Sequence, residues 1–198
     1  MPPIRYEWFF DRLKSQNFGV LKLLGIEKVI NIIVPKLLMG FIRIKKINGK
    51  EYAYLVKNKW YKRGFKSKGR GSRQTVSKYL GRVYSFEKVN DVGFFDFKVM
   101  SNAEQYLVNN TQEEVIKDLM RWELYRHNIE DFSIDFNSKK IAKNKKNVTI
   151  RINEGFLNSY TLRRLFNLRK EDSFYLAKCF VEAGIAVPKE IFVGLFSE

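Results

Sequence analysis

Two short runs of alternating apolar and polar residues meet at an Asn-Gly dipeptide, and this feature most restricts what the chain can fold into. The runs are FIRIKKI and KEYAYLVKN, within residues 41–59, and Asn48-Gly49 joins them. Alternation with a period of two predicts β-strands, and Asn-Gly favours the two-residue type I′ turn because both residues tolerate positive φ. We therefore expect an antiparallel β-hairpin here.

Further strands are expected on the C-terminal side of this hairpin. The stretch RQTVSKYLGRVYSF, residues 73–86, predicts another strand with a short helical turn at residues 75–80. GFFDFKV, residues 93–99, predicts one more. Upstream, apolar residues at three- and four-residue spacing indicate a helical arm over residues 1–38, whose second helix ends at Pro35.

The second half of the chain is expected to be mainly helical. Thr111 and Glu114 form a capping-box pattern ahead of the apolar stripe in EEVIKDLMRWELYRH. FSIDF and NVTIRI, joined by NSKKIAKNKK, predict a second hairpin with a basic tip. Three helices follow, with Gly184 as the C-cap of the second and Pro188 at the first position of the third.

These patterns together predict an α+β fold in three parts. They are a helical N-terminal arm (1–38), a basic β-rich nucleic-acid-binding module (39–99) and an α-rich domain with one β-hairpin (100–198). The single cysteine, Cys179, lies in an apolar helical pattern and is expected to be a buried thiol.

Positive charge is concentrated in the β-rich module. The chain has 37 Lys and Arg against 21 Asp and Glu, a net charge of +16. Residues 41–82 hold fourteen of these basic residues and one acidic residue, Glu51, which leaves +13 in this segment. Such a surplus on one module indicates a polyanionic partner, with nucleic acid ahead of an acidic membrane surface.

The densest part of this charge is WYKRGFKSKGRGSR, residues 60–73, which has six basic residues, three glycines and three aromatic residues. Lys and Arg can neutralise phosphates, and interleaved aromatic rings, Tyr52 and Tyr54 included, can stack on bases. The alternative is that Tyr52 and Tyr54 pack on one sheet face and that the loop is only solvated. The predicted nucleic-acid-binding residues are Lys57, Lys59, Trp60, Tyr61, Lys62, Arg63, Phe65, Lys66, Lys68, Arg70, Arg73, Lys78, Arg82, Lys140, Lys143, Lys145, Arg163 and Arg164.

A family resemblance points in the same direction. The segment YAYLVKNKW, followed after a basic insert by SRQTVSKYLGRV, resembles the N-terminal β-rich segment of ribonuclease-H-like insertion-sequence transposases and of small uncharacterised archaeal proteins. The matching positions within residues 41–84 are Arg73, Gln74, Tyr79, Leu80, Gly81 and Val83. This resemblance implies an accessory module that faces DNA. It does not imply transposition, because the sequence after residue 100 does not have the pattern of the family's three-carboxylate catalytic domain.

Catalysis is the weaker hypothesis. A metal-dependent nuclease needs two or three carboxylates around Mg²⁺, and the candidates are Asp131, Asp135 and Glu154. His127, at the end of the capped helix, is better explained as a favourable helix C-terminal charge than as a base. We expect no cofactor and no bound metal.

Three hypotheses remain after these arguments: a non-catalytic nucleic-acid-binding protein with DNA favoured, a ribosome- or RNA-associated factor, and a metal-dependent nuclease. Residues 18–38 can form a homodimer interface or cover the protein's own sheet. The longest apolar run, residues 29–42, is broken by Pro35 and Lys36, so we expect no membrane partner and a cytoplasmic location. The scarcity of Gln, His and Cys is typical of a thermophilic archaeon or one of its mobile elements, and also of an AT-rich genome.

Overall fold

The structure is a computed structural model that describes residues 40–61, 71–100, 102–167 and 173–196. The chain divides into two compact units, and the larger comprises Ile42–Val56 with Gln74–Glu198. The other unit, Met1–Phe41 with Lys57–Arg73, is described only in part. The predicted helical arm (1–38) and the proposed dimer interface within it lie outside the described residues.

The described residues contain one mixed sheet of seven strands. The strand order is β1-β2-β3-β6-β5-β4, and β7 pairs with β6. The strands are β1 (Phe41–Ile47), β2 (Lys50–Tyr61), β3 (Gly71–Ser85), β4 (Ser133–Asp135), β5 (Lys140–Lys143), β6 (Lys146–Ile152) and β7 (Gly155–Leu157).

Six helices accompany the sheet in the described part of the chain. They are α1 (Phe94–Lys98), α2 (Ala103–Asn109), α3 (Gln112–Arg126), α4 (Ser159–Phe166), α5 (Ser173–Ala183) and α6 (Lys189–Phe196). Strands and helices occur in separate runs rather than in regular alternation, which is an α+β fold as expected. None of these helices combines the length and the apolar composition that a membrane crossing needs.

The N-terminal hairpin is confirmed. β1 and β2 are neighbours in the sheet, and the two residues between them, Asn48 and Gly49, have φ of 49° and 75°. Two consecutive positive φ values are those of a type I′ turn, which matches the right-handed twist of the paired strands.

The third strand continues without a helical interruption. β3 runs from Gly71 to Ser85 as one strand beside β2, so the helical turn expected at residues 75–80 is wrong. This segment is rich in strand formers, and Ser77 Oγ donates a hydrogen bond to Leu55 O of β2 at 3.0 Å. Pairing with β2 therefore decides its conformation.

Gly81 shifts the alternation of β3 by one residue. Leu80 and Val83 are three positions apart, yet both are buried in one small core cluster with Ala53 and Leu55 of β2. Strict alternation would put Leu80 and Val83 on opposite faces, so we infer that Gly81, whose φ is 120°, is the extra residue of a β-bulge.

The segment Gly93–Val99 is a helix, not the expected strand. Phe94, at the first position of α1, is 2% exposed and its ring packs edge-to-face against Tyr106 and Trp122. The indole Nε1 of Trp122 donates a hydrogen bond to Val92 O at 2.9 Å. Burial of this aromatic group overrides the local strand pattern.

The second predicted hairpin is instead a meander of three strands. β4 pairs antiparallel with β5, and β5 pairs antiparallel with β6. The segment expected to be a basic tip therefore contains a strand of its own, because Ile141 at its centre is fully buried in the main core. Its tight turn, at Asn144 and Lys145, again has two positive φ values, 51° and 62°.

Two strands join the predicted parts of the chain. β3 pairs in parallel with β6 from Arg82↔Val148 to Ser85↔Arg151. Three residues of β6, Val148, Ile150 and Ile152, are buried in the main core together with residues of α3, α4 and α5. One sheet thus runs through both the predicted β-rich module and the predicted α-rich domain.

The helix boundaries predicted from caps mostly hold. Thr111 and Glu114 form the expected capping box of α3. Gly184 follows α5 with φ of 76°, as expected for a C-cap glycine. Pro188 precedes α6, which begins at Lys189, and accepts a hydrogen bond from Phe192 N at its carbonyl, so it lies one residue before the position expected.

Candidate nucleic-acid interface

Three tyrosine rings cluster on one face of β2 and β3. Tyr79 of β3 lies 5.4 Å from Tyr54 and 6.4 Å from Tyr52, measured between ring centroids, with interplanar angles of 50° and 41°. Tyr79 is 49% exposed, and Tyr52 and Tyr54 are half-buried. We call Tyr52, Tyr54 and Tyr79 the tyrosine face.

The position of these rings follows from the alternation of the strands. Ala53 and Leu55 of β2 turn into the small core, so Tyr52 and Tyr54 between them lie on the other side of the sheet. The contacts with Tyr54 and Tyr52 place Tyr79 on this side too.

Basic side chains accompany the rings. Lys45 of β1 has its Nζ 5.2 Å from the centroid of Tyr54. Arg43, two residues earlier on the same face of β1, donates a hydrogen bond from Nη1 to Gln74 Oε1 at 2.5 Å. The acidic residue of segment 41–82, Glu51, alternates onto the opposite side of β2. The tyrosine face is therefore bordered by positive charge.

A second aromatic and cationic group continues along β3 beyond the bulge. The guanidinium of Arg82 lies 4.9 Å from the ring of Tyr84, and Lys143 Nζ lies 5.5 Å from the same ring. Phe132 packs edge-to-face on Tyr84 with centroids 5.4 Å apart. Lys143 also pairs with Asp131 Oδ2 at 3.1 Å, so its charge is partly compensated.

Tyr79 carries no phenolate charge near neutral pH. Partial burial, followed by the neighbouring Tyr54, Tyr52 and Tyr84, raises the pKa of Tyr79 above its ordinary value of 10.0. The ring therefore remains a neutral phenol and does not oppose the approach of an anionic ligand.

The residues predicted from the sequence fall into several groups. The exposed ones are Lys57, Lys59, Arg73, Lys78, Lys140, Lys145 and Arg163, whereas Arg82 and Lys143 are half-buried. Trp60 and Tyr61 are residues of β2 whose side chains are not described. The rest of the basic loop lies outside the described residues: Lys62, Arg63, Phe65, Lys66, Lys68 and Arg70.

Arg164 has an internal role. Its guanidinium pairs with the Glu182 carboxylate, and its Nε donates a hydrogen bond to the Tyr175 hydroxyl at 2.8 Å. Burial alone would lower the pKa of Arg164, but the adjacent Glu182 raises it, so the guanidinium stays charged. Because this arginine ties α4 to α5, we do not include it in the proposed surface.

The three carboxylates considered for catalysis have different surroundings. Asp131 lines a cleft of about 230 Å³ with Glu130 and Asn128, whereas neither Asp135 nor Glu154 lines it. Asp135 accepts hydrogen bonds from Ser138 Oγ and from the backbone of the following turn, and these bonds lower its pKa. Across residues 40–61, 71–100, 102–167 and 173–196, no group of three His, Cys, Asp or Glu side chains is placed to hold a metal ion.

His127 lies at the C-terminal end of α3, as expected from the sequence, but its side chain is buried there. It follows α3 as the C-cap residue but is 3% exposed, with Nε2 3.5 Å from the buried Glu123 carboxylate. It is thus part of the interior at the end of this helix.

Several residues of the candidate surface lie outside the set of binding residues predicted from the sequence. Arg43 and Lys45 were counted only as part of the overall charge, and Tyr84 and Phe132 were not considered as interface residues. The alternation of FIRIKKI puts Arg43 and Lys45 on the polar side of β1 and is sufficient to find them. Tyr84 and Phe132 meet through the sheet, and no local pattern links them.

Comparisons with known proteins find no relative of this chain. No protein-family model matches the sequence, and neither do any curated protein or any solved structure.

Proposed function

We propose that this chain is a non-catalytic nucleic-acid-binding protein, with DNA as the leading ligand. The observation that carries the proposal is the tyrosine face bordered by Arg43 and Lys45, within a segment of fourteen basic residues and one acidic residue. The preference for DNA rests on the transposase-like pattern of residues 41–84. A nucleic-acid ligand also agrees with the expected cytoplasmic location.

The basic side chains supply the phosphate contacts. On the side of the sheet that carries the tyrosine face, Arg43 and Lys45 of β1 are exposed, and so is Lys50 of β2. Each phosphate that such a side chain neutralises releases condensed counterions, so binding falls as salt rises. Phosphate contacts hold the ligand without reading its sequence, and this matches a surface rich in lysine.

The aromatic rings supply contacts of another kind. An exposed tyrosine presents a flat apolar surface with a polar end, and bases stack on such rings in proteins that bind single-stranded nucleic acid. A polyanion without flat groups would use the charge of this surface and leave the rings unused. Charge and rings together therefore favour nucleic acid over an acidic membrane surface.

The test is the salt dependence of binding. In the variant Arg43→Ala, Lys45→Ala, Lys50→Ala, we expect the slope of log K against log salt to flatten by about two to three, since each lost phosphate contact removes about 0.7–0.9. Fluorescence anisotropy with a labelled DNA oligonucleotide over a salt series measures the slope.

A charge-matched variant provides the control. Lys88, Lys117 and Lys189 lie outside segment 41–82, and the first two are paired with Asp91 and Glu113. Replacing these three by Ala removes the same formal charge and is expected to leave the slope within about 0.5 of the unchanged protein. Equal slopes for all three proteins would show that the side chains bordering the tyrosine face do not contact phosphate, which contradicts the proposal.

A further inference from the structure

We propose that the tyrosine face binds single-stranded nucleic acid by stacking bases on Tyr79 and on its neighbours Tyr52 and Tyr54. This inference rests on the proposed function and specifies its ligand. Its basis is the exposure of Tyr79, the arrangement of the three rings and the cations around them.

The rings leave aromatic surface open to a ligand. Tyr79 is tilted against Tyr54 by 50° and against Tyr52 by 41°, so no pair is stacked face to face. Tyr79 keeps 49% of its surface exposed, although a tyrosine that served only to fill a core would be buried. A ring held by two neighbours on the adjacent strand β2 loses little conformational freedom when a base stacks on it.

A single strand fits this surface better than a duplex does. The flat faces of bases are covered by neighbouring bases within a double helix, whereas in a single strand they can be splayed out and stacked on aromatic side chains. Exposed aromatic rings on neighbouring strands of a sheet bind two or three bases in this way. Such stacking tolerates any sequence, because every base has a π-face.

The cations lie where the sugar-phosphate backbone of such a strand would pass. Lys45 lies beside Tyr54, and Arg82 lies beside Tyr84 on the other side of the bulge. Positive charge therefore accompanies the aromatic surface from β1 to the C-terminal part of β3. In grooves that bind a single strand, the bases generally stack on aromatic rings and the phosphates face flanking Lys and Arg side chains.

The experiment compares two substitutions at Tyr79 on two ligands. Tyr79→Phe keeps the ring, and Tyr79→Leu keeps apolar bulk without it. The ligands are an oligothymidylate of about 15 nucleotides and a mixed-sequence duplex of about 15 base pairs, both measured by anisotropy at the same salt concentration. The full chain is used throughout, with circular dichroism to check that each variant is folded.

We expect the unchanged protein to bind the single strand more tightly than the duplex. Tyr79→Leu should weaken single-strand binding about 5-fold or more and change duplex binding less than about twofold, whereas Tyr79→Phe should stay within about twofold on both ligands. Unchanged duplex binding by Tyr79→Leu then shows that the phosphate contacts and the fold are intact.

Two other results would overturn the inference, and they are distinguishable. If Tyr79→Leu binds the single strand as well as Tyr79→Phe does, or if the duplex is the tighter ligand, base stacking is wrong while nucleic-acid binding stands. If the unchanged protein binds neither oligonucleotide, the proposed function fails as well.

Discussion

Asp118 shows, at the scale of one residue, how a chain with surplus positive charge keeps a carboxylate in its interior. Its side chain on α3 is 9% exposed, and it pairs with Lys98 Nζ at 2.7 Å and Arg121 Nη1 at 3.1 Å. The Tyr106 hydroxyl donates a further hydrogen bond at 2.8 Å. Burial alone would raise the pKa of Asp118, but the bonds from Lys98 and Tyr106 outweigh it, and the pKa is below its ordinary value.

Asp118→Asn should therefore destabilise the protein in a pH-dependent way. A carboxylate whose folded-state pKa is lowered contributes stability above its unfolded pKa, here 3.8, and this contribution is lost as the pH falls through the folded-state value. We expect Asp118→Asn to cost about 2 kcal/mol of unfolding free energy near neutral pH, and the difference to shrink below about pH 4. Urea unfolding at a series of pH values measures it.

Glu113 provides the control for this prediction. It lies on the same helix, pairs with Lys117 at 2.8 Å and is 59% exposed. Glu113→Gln should change the unfolding free energy by less than about 0.5 kcal/mol at any pH, since exposed pairs contribute little. A constant cost of Asp118→Asn from pH 7 to pH 2 would contradict the role given to its charge.

At the scale of the element, β3 depends on one glycine. A Cβ added to Gly81 would lie 2.4 Å from Asn147 O of β6, and its φ of 120° is a conformation that other residues rarely adopt. Thr149 Oγ1 donates a hydrogen bond to Leu80 O beside it at 3.2 Å. The bulge and the close approach of β6 thus occur at the same residue.

Gly81→Ala is therefore expected to cost more than about 3 kcal/mol of unfolding free energy, because backbone strain and a backbone clash add. Gly49→Ala is the matched control: its φ is also positive, at 75°, but a Cβ there would have no neighbour within 4 Å. The expected cost at Gly49 is about 1–2 kcal/mol, from conformation alone. If urea titrations show that the two variants lose similar amounts of unfolding free energy, this would argue against the close packing of β3 on β6.

The elements that could be predicted from the sequence are those fixed by local chemistry. Asn48-Gly49, the capping box at Thr111 and the terminal glycine at 184 each act within a few residues. The conformation of the segments around Phe94 and Ile141 is decided by burial against distant parts of the chain. Their local sequence patterns therefore predict the wrong secondary structure. The same holds for the candidate site: charge density indicates segment 41–82 as the candidate surface, but the contact of Tyr79 with Tyr54 depends on strand pairing.

At the scale of the whole molecule, β3 belongs to two cores of the larger unit. Leu80 and Val83 are buried in the small cluster with Ala53 and Leu55, whereas Tyr84 and Phe86 pack against the main core. The backbone of Arg82 to Ser85 is paired with β6. The β-rich segment is thus completed by residues after 100.

A fragment of residues 39–99 should therefore fail to fold alone. Its β3 would lack β6, and Tyr84 and Phe86 would lack Phe132 and the rest of the main core. We expect little dispersion in its amide NMR spectrum and no cooperative thermal transition, in contrast to the full chain. A sharp transition of the fragment by circular dichroism would show that it is an independent domain.

The bulge at Gly81 also decides which residues of β3, odd-numbered or even-numbered, lie on a given side of the sheet. Before it, odd-numbered residues such as Tyr79 lie on the same side of the sheet as Tyr52 and Tyr54, and after it even-numbered residues such as Tyr84 do. Removing one residue there would restore a single parity along the strand and exchange Tyr79 with Leu80, or Tyr84 with Val83, between the two sides of the sheet. Tyr79 and Tyr84 therefore lie on the same side of β3 only if the number of residues between them is unchanged.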